Sequence, residues 1–133
     1  MIPKVSILVP VYNVEAFIER CAISLFEQTF EDIEYLFVND CTPDNSIEVL
    51  KKVIDKYPNR KCNTCIINNE TNLGIAGVRN ILLDKAKGNF FLFVDSDDYI
   101  DHDMIEKMYE SIIAEKADIA VCDFIIEWQN VNK

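Results

Sequence analysis

Short apolar runs alternate with amphipathic stretches along the chain, which predicts strands separated by helices. The apolar runs predict strands over residues 5–9, 33–38, 62–67, 90–94 and 119–122. Apolar residues three and four positions apart predict helices over residues 14–26, 42–57, 75–87 and 103–116. Strands that alternate with helices of this length are typical of βαβ units. The pattern therefore predicts an α/β fold, with a Rossmann-like parallel or mixed sheet and helices on both faces.

Turn and cap residues predict where several of these elements begin and end. Pro10 is expected to end the first strand, because proline has no N–H to offer a neighbouring strand. Thr42 is expected to cap the second helix, with Pro43 at its first position and Pro58 as its stop. Gly88 is expected to end the third helix, as glycine commonly does.

Three aspartates, Asp95, Asp97 and Asp98, follow the fourth predicted strand. The five apolar residues of that strand suit burial on both faces of a sheet. If the backbone stays extended, Asp95 and Asp97 point to the same side. Two carboxylates about 5 Å apart repel by roughly 3 kcal/mol at an effective dielectric near 20, unless water screens them or a cation neutralises them.

Two interpretations of this acidic segment follow from the residue types. In the first, its carboxylates hold Mg²⁺ or Mn²⁺, and a substrate phosphate completes the ligand shell of the ion. In the second, the segment is a solvated loop in which Asp98 or Asp101 caps the next helix. Further polar clusters follow the first two strands, at 10–13 and 39–40. Because ligands bind at the carboxyl ends of parallel strands, these clusters favour a binding site at this edge of the sheet.

Composition narrows the classes of partner and the location. The chain of 133 residues has 13 Lys and Arg against 23 Asp and Glu, a formal net charge of −10. This balance disfavours nucleic acid and anionic membranes as partners, because both bind through basic patches. No apolar stretch approaches the ~20 residues that cross a bilayer, and no export signal is visible. We therefore expect a single cytoplasmic domain over residues 1–133, with any membrane association left to regions absent from this sequence.

The cysteines do not indicate a metal site. There are five, and they are expected to be small buried hydrophobic residues in a reducing compartment. Cys62 and Cys65 have C-x-x-C spacing, but a zinc site needs a second pair and the only histidine is His102. His102 itself is expected to lie at the surface, near the start of a helix.

Four motifs, in this order, resemble those of family 2 glycosyltransferases, which are inverting, nucleotide-sugar-dependent enzymes of the glycosyltransferase-A fold. They are Val9-Pro10-Val11-Tyr12-Asn13, Val38-Asn39-Asp40-Cys41-Thr42, Asn72-Leu73-Gly74 with Val78-Arg79-Asn80, and Val94-Asp95-Ser96-Asp97-Asp98. The D-x-D pattern alone is weak, whereas four motifs in order at the predicted strand ends are specific. The resemblance covers essentially the whole chain.

The resemblance implies roles for individual residues. Asp40 would accept a hydrogen bond from the base, usually uracil, and Arg79 would lie near the nucleotide. Asp95 would contact ribose or metal-bound water, and Asp97 would ligate a divalent cation, Mn²⁺ or Mg²⁺, that bridges the diphosphate; Asp98 would complete the acidic cluster. The nucleotide-binding set implied in this way is Pro10, Val11, Tyr12, Asn13, Asp40, Arg79, Asp95 and Ser96.

The chain also departs from the family pattern. Asn39 stands where the family commonly has a second acid, and the acceptor-binding half, which carries the general base, has no match here. The resemblance thus implies a truncated donor-binding domain, with the catalytic base beyond Lys133. Asp123 is a candidate substitute, but a carboxylate in or beside the fifth predicted strand is more simply structural. A general base must lie within reach of the acceptor proton, so the chain by itself is expected not to transfer sugar.

The expected function is that of a glycosyltransferase of hexosyltransferase type in polysaccharide biosynthesis. The full-length enzyme would move a sugar from a nucleotide-diphosphate sugar, with UDP favoured, to an acceptor hydroxyl with inversion. The acceptor would be a sugar or a lipid-linked glycan. The alternative is a nucleotide-sugar-binding module or fragment without turnover, and self-association of the truncated chain is a further expectation. A phosphoacceptor signalling domain is disfavoured, because the first strand is not followed by paired acids.

Overall fold

A computed structural model describes residues 2–127 of the chain. Four strands form one sheet in the order β3-β2-β1-β4, and each neighbouring pair is parallel. The elements are β1 Val5–Val11, α1 Ile18–Phe26, β2 Ile33–Asn39, α2 Ser46–Asp55, α3 Pro58–Lys61, β3 Thr64–Asn68, α4 Gly74–Lys85, β4 Phe90–Phe93 and α5 Met104–Glu115. The predicted α/β architecture with a parallel sheet is confirmed.

Helices cover both faces of the sheet. Side chains alternate along each strand, so Ile7 and Val9 of β1 join a core with α1 and α2, and Ile105 of α5 packs in the same core. On the other face, Leu8 and Leu36 pack against Val78 and Leu82 of α4. The two cores fix the strands between helix layers, as the sequence pattern predicted.

The first strand runs through Pro10 instead of ending there. Val11 still pairs with Asn39 of β2. The Leu8 carbonyl accepts a hydrogen bond from the Val94 N–H at 3.0 Å, so the backbone N–H and C=O groups of Leu8 point towards β4. The backbone of Pro10, two residues later, points to the same side, but β4 has already ended at that level of the sheet. The missing N–H of Pro10 therefore costs the sheet no hydrogen bond.

Three predicted caps differ from those in the structure. The N-cap position of the second helix, α2, is Asn45 and not Thr42, and its first residue is Ser46 and not Pro43. Pro58 opens the short helix α3. The third long helix, α4, ends at Lys85, followed by an extended residue. Gly88 is needed for another reason: a Cβ there would lie 2.7 Å from the backbone nitrogen of Ser6. Gly88 thus permits a close approach to β1.

The predicted fifth strand is wrong within the described residues. Residues 118–127 have no regular secondary structure, and the side chains of Ile119, Val121 and Phe124 are 77–89% exposed. β4 is an edge strand, and Phe91 is 55% exposed, so the expected burial on both faces is also wrong. An apolar segment forms a strand only where a neighbouring strand can pair with it and another element can cover its apolar face. The polar end of the chain, at 129–133, lies outside the described residues.

The cysteine prediction holds only for Cys21. All five thiols are free, and Cys21 is buried. The other four are exposed, because they lie in loops and on the sheet edge and not in the two cores. Among residues 2–127, no helix combines the length and apolar character needed to cross a bilayer.

Candidate functional site

The loops that follow β1 and β2 are tied together through Asp44. One carboxylate oxygen of Asp44 accepts hydrogen bonds from the Thr42 hydroxyl (2.7 Å) and from the N–H and hydroxyl of Ser46. The other oxygen accepts from the Glu15 N–H at 3.1 Å. The Thr42 hydroxyl also accepts a hydrogen bond from the Asn13 N–H. This network fixes the loop after β1, in which Asn13 has a left-handed backbone with φ 55°.

The same network sets the ionisation of Asp44. Partial desolvation would raise the pKa of its carboxyl, but the hydrogen bonds from Ser46, Thr42 and Glu15 outweigh that effect and hold the pKa at about 2. In the folded protein the pKa of this carboxyl thus lies below its ordinary value of 3.8. The carboxylate therefore stabilises the fold above pH 3.8, and this contribution is lost as the pH falls through about 2.

We expect Asp44→Ala to lower the free energy of unfolding by about 1–3 kcal/mol at pH 7, since it leaves several donors without an acceptor. Urea unfolding of both proteins at pH 7 and at pH 2.5 measures this difference. The gap between them should shrink at the lower pH, where wild-type Asp44 begins to be protonated. Equal stabilities at pH 7 would show that the network does not hold the loops.

Asp40 has a buried carboxylate that caps the N-terminus of α4 from another part of the chain. It is 3% exposed and lies directly after β2. Its oxygens accept hydrogen bonds from the N–H groups of Leu73 (2.8 Å) and Gly74 (3.0 Å), and from the side chain of Asn69 (3.0 Å). A carboxylate at a helix N-terminus satisfies free N–H groups and complements the helix dipole. Asp40 therefore joins the end of β2 to the start of α4.

A cleft of about 310 Å³ opens beside Asp40. Its size falls at the lower end of the range for small-molecule pockets. Tyr12 and Ile75 are about half exposed, with values of 49% and 54%, and they offer an aromatic and an aliphatic surface. The cleft is lined by Pro10, Val11, Tyr12, Asp40, Asn72, Gly74, Ile75 and Val78. Four of the predicted nucleotide-binding residues thus lie together.

The three aspartates after β4 also lie together. One carboxylate oxygen from each of Asp95, Asp97 and Asp98 lies within 4.8 Å of the others, and all three residues are exposed. The backbone does not stay extended as expected, because the Asp98 N–H donates to the Asp95 carbonyl at 2.9 Å and closes a turn. Partial desolvation, followed by the charges of Asp97 and Asp95, raises the pKa of the Asp98 carboxyl. Oxygen ligands at this spacing fit a hard divalent cation.

Arg79 connects the cleft with the acidic cluster. It follows Val78 of the cleft on α4, and its guanidinium lies 3.8 Å from a carboxylate oxygen of Asp95. The guanidinium also lies 5.6 Å from the centre of the Phe93 ring. With side-chain exposures of 47% and 55%, the Arg79–Asp95 pair is worth at most about 1 kcal/mol. Its charge therefore remains available to an anionic ligand between the two halves of the site.

Residues 6–132 match the family described as Glycosyl transferase family 2. The chain belongs to this family. It is 42% identical over 124 residues to "Uncharacterized glycosyltransferase EpsJ" of Bacillus subtilis (strain 168), covering 93% of this chain and 35% of that protein. "Glycosyltransferase GlyA" of Streptococcus pneumoniae serotype 4 is 36% identical, covering 91% of this chain and 17% of that protein. Both family members are thus much longer than this chain.

A solved structure of a related protein shares the fold. The crystal structure of S. aureus TarS 1–349 in complex with UDP has a TM-score of 0.76 and 34% identity, over 85% of this chain and 33% of that one. TarS has also been solved in complex with UDP-GlcNAc. The family 2 domain therefore has the glycosyltransferase-A type of fold that the resemblance implied, over the N-terminal portion of longer proteins. Its Asp95-Ser96-Asp97 sequence fits the D-x-D motif.

Some of the predicted residues do not reach the cleft or the cluster of this family 2 domain. The Asn13 N–H donates to Thr42 in the loop after β2, and Ser96, within the acidic turn, is only 5% exposed. Among the described residues, no hydrogen bond or ion pair joins Asp123 to the site, and His102 is exposed at the surface as expected. Ile75, which lines the cleft, was not predicted as a site residue. In the sequence it could be noticed only as an apolar residue near the start of a predicted helix.

Proposed function

We propose that this chain is the donor-binding domain, over residues 1–133, of an inverting hexosyltransferase that uses a nucleotide-diphosphate sugar. The observation that carries the proposal is the continuity of the site: one helix, α4, lines the cleft through Val78 and reaches the acidic cluster through Arg79. A ligand with an aromatic base at one end and a diphosphate at the other matches this arrangement. The 34% identity to TarS, solved with UDP and with UDP-GlcNAc, supports uridine as the nucleoside.

The nucleoside is assigned to the cleft. Its base would stack between Tyr12 and Ile75, against the backbone of Pro10 and Val11. Asp40 accepts three hydrogen bonds within the chain, and an ionised carboxylate offers about four acceptor positions. The remaining position would accept the N–H of a uracil ring. Asp95, which lies 3.8 Å from the guanidinium of Arg79, would lie towards the ribose.

The diphosphate is assigned to Arg79 and the acidic cluster. Asp97 and Asp95 would hold Mn²⁺ or Mg²⁺, because their exposed oxygens are the hard ligands that these ions prefer. When bound, a divalent ion supplies positive charge beside the oxygens on which negative charge builds as the nucleoside diphosphate departs. Arg79 would add a second positive charge and orient the same phosphates. Asp98 would complete the acidic cluster beside these two ligands.

The acceptor and the catalytic base belong to the rest of the enzyme. This chain covers 35% and 17% of the two relatives described above, and Asp40 is the one carboxylate among the residues that line the cleft. We assign the base for the acceptor hydroxyl to residues beyond Lys133, and the acceptor to the sugars and lipid-linked glycans of polysaccharide biosynthesis. The cytoplasmic location and the self-association of the isolated chain stay predictions.

A thermal-shift panel of nucleoside diphosphates, with and without Mn²⁺, tests the proposed function. A ligand at a hundred times its Kd adds about 2.7 kcal/mol of apparent stability, which is easily measured. We expect UDP with Mn²⁺ to raise the melting temperature more than the sum of the shifts that each gives alone. The absence of a shift with every nucleoside diphosphate would contradict donor binding.

The role of Asp40 predicts a preference for uridine over cytidine. Uracil has a ring N–H at the position where cytosine has only an acceptor nitrogen, so CDP would face the Asp40 carboxylate with an unpaired polar group. UDP should therefore bind more tightly than CDP by about 1–3 kcal/mol, which calorimetry in Mn²⁺ measures. This comparison uses the wild-type protein alone. A substitution of Asp40 would be harder to interpret, because it would also remove the hydrogen-bond acceptor at the N-terminus of α4. Equal affinities would remove Asp40 from base recognition.

A further inference from the structure

One face of α1 contacts the backbone of the segment that carries the acidic cluster. The Cys21 thiol donates to the carbonyl of Asp95 (3.7 Å), and the Ser24 hydroxyl accepts from the N–H of Ile100 (3.2 Å). Cys21, Ser24 and Gln28 are three and four residues apart, so they share a face of the helix region. These contacts bracket Asp97 and Asp98 on both sides.

Gln28 makes the most extensive of these contacts. Its side chain is buried, with 4% exposure. The amide nitrogen donates to the carbonyl of Asp101 (2.6 Å) and to that of Ser24 (3.0 Å), and the amide oxygen accepts from the N–H of Ile105 (3.1 Å). Asp103 precedes α5 without a side-chain cap, so Gln28 supplies an acceptor to the first turn of that helix from another element. Only an amide side chain can both donate and accept in this way.

The next residue extends the same attachment. The Thr29 N–H donates to the carbonyl of His102 at 2.8 Å, and its hydroxyl donates to Glu106 at 2.7 Å. The chain from Asp95 to Glu106 is therefore held by four residues: Cys21 and Ser24 of α1, and Gln28 and Thr29 of the loop after it. This arrangement opposes the mutual repulsion of three carboxylates, which would otherwise spread an exposed turn.

We propose that Gln28 is a positioning residue for the acidic cluster and that it keeps the carboxylates of Asp95 and Asp97 in the arrangement that binds a metal-bound diphosphate. This inference rests on the proposed function. The contacts of Gln28 are all with backbone groups, so it would act by holding the turn in place before the ligand arrives. The free energy of binding is then not reduced by the cost of ordering the turn. Residues that orient metal ligands typically change metal affinity 10–100-fold when they are replaced.

The test compares Gln28→Met, which keeps the size of the side chain and removes its hydrogen bonds, with Val53→Ala. Val53 is a buried residue of α2, outside the site, so the latter variant reports the effect of lost stability alone. Calorimetry measures the affinity for UDP in Mn²⁺ and the affinity for uridine without metal. For Gln28→Met we expect the first to fall about 10-fold and the second to change less than twofold. For Val53→Ala both affinities should stay within twofold of wild type at a temperature where the protein is folded.

Each outcome decides a separate question. If wild type shows no Mn²⁺-dependent affinity for UDP, the proposed function fails and the inference fails with it. If wild type binds and Gln28→Met binds equally well, or loses both affinities in parallel, Gln28 has no positioning role. Ser24→Ala removes the acceptor of the Ile100 N–H and the hydrogen bond that the Ser24 hydroxyl donates to the Cys21 carbonyl. It leaves the contacts of Gln28 in place, and so provides a milder variant should Gln28→Met not fold. It should also lower the Mn²⁺-dependent affinity selectively, and an unchanged ratio would overturn the inference.

Discussion

Replacing Asp97 with asparagine is expected to lower the affinity for UDP in Mn²⁺ about 100-fold. The change replaces a charged carboxylate ligand with a neutral amide in a cluster of only three carboxylates. Replacing a residue that merely orients a metal ligand already costs about 10–100-fold, so the loss of a charged ligand should reach the upper end of that range. Affinity for uridine without metal should be unchanged, because the cleft is lined by other residues.

Asp55→Asn is the matched control for this prediction. Asp55 is an exposed acid at the end of α2 that pairs with Lys61, and its replacement changes the net charge of the chain by the same amount. Its UDP affinity in Mn²⁺ should remain within twofold of wild type. Wild-type affinity in Asp97→Asn, or an equal loss in both variants, would show that Asp97 does not hold the ion.

Replacing Arg60 with methionine is expected to lower the free energy of unfolding by about 3–5 kcal/mol, because several buried acceptors lose their donor at about 1–3 kcal/mol each. Arg60 is 5% exposed, and its guanidinium donates four hydrogen bonds, at 2.7–3.1 Å, to backbone carbonyls. The carbonyls belong to Phe26, Gln28, Phe30 and Glu31. They would lose their donors, and an uncovered polar group in a buried site is costly.

Lys61→Met is the control within the same short helix. Lys61 pairs with Asp55 at the surface, with 60% of its side chain exposed, so its loss should cost less than about 1 kcal/mol. Urea unfolding followed by far-UV circular dichroism gives both values. A cost below 1 kcal/mol for Arg60→Met would mean that its four hydrogen bonds do not hold the loop between α1 and β2.

Local sequence was sufficient to predict the elements that are packed on both sides. The nearly continuous apolar runs of β1 and β2 and the period near 3.6 in α1 and α2 reflect burial in the cores that form around them. The acidic cluster was predictable for a similar reason: Asp95, Asp97 and Asp98 lie within four residues, so any turn of the backbone keeps them close. Only the conformation that brings them together, a turn instead of an extended chain, was predicted wrongly.

The contacts missed by sequence reasoning join residues far apart in the chain. Asp40 accepts a hydrogen bond from the first N–H of α4, 34 residues later in the chain, and Gln28 donates to a carbonyl 73 residues away. Nothing in the local sequence distinguishes such side chains from surface polar residues. The fifth strand failed for the complementary reason, because Ile119 and Val121 have strand propensity but no partner among residues 2–127.

The central claim is that the cleft and the acidic cluster form one donor site, and a crystal structure of the chain with UDP and Mn²⁺ tests it most directly. Anomalous scattering locates the ion independently of the nucleotide. We predict uracil in the cleft beside Asp40, the diphosphate next to Arg79, and the ion bound by Asp97 and by phosphate oxygens. UDP bound elsewhere, such as in the apolar groove between β4 and α5, or an ion that does not contact the diphosphate, would contradict this account.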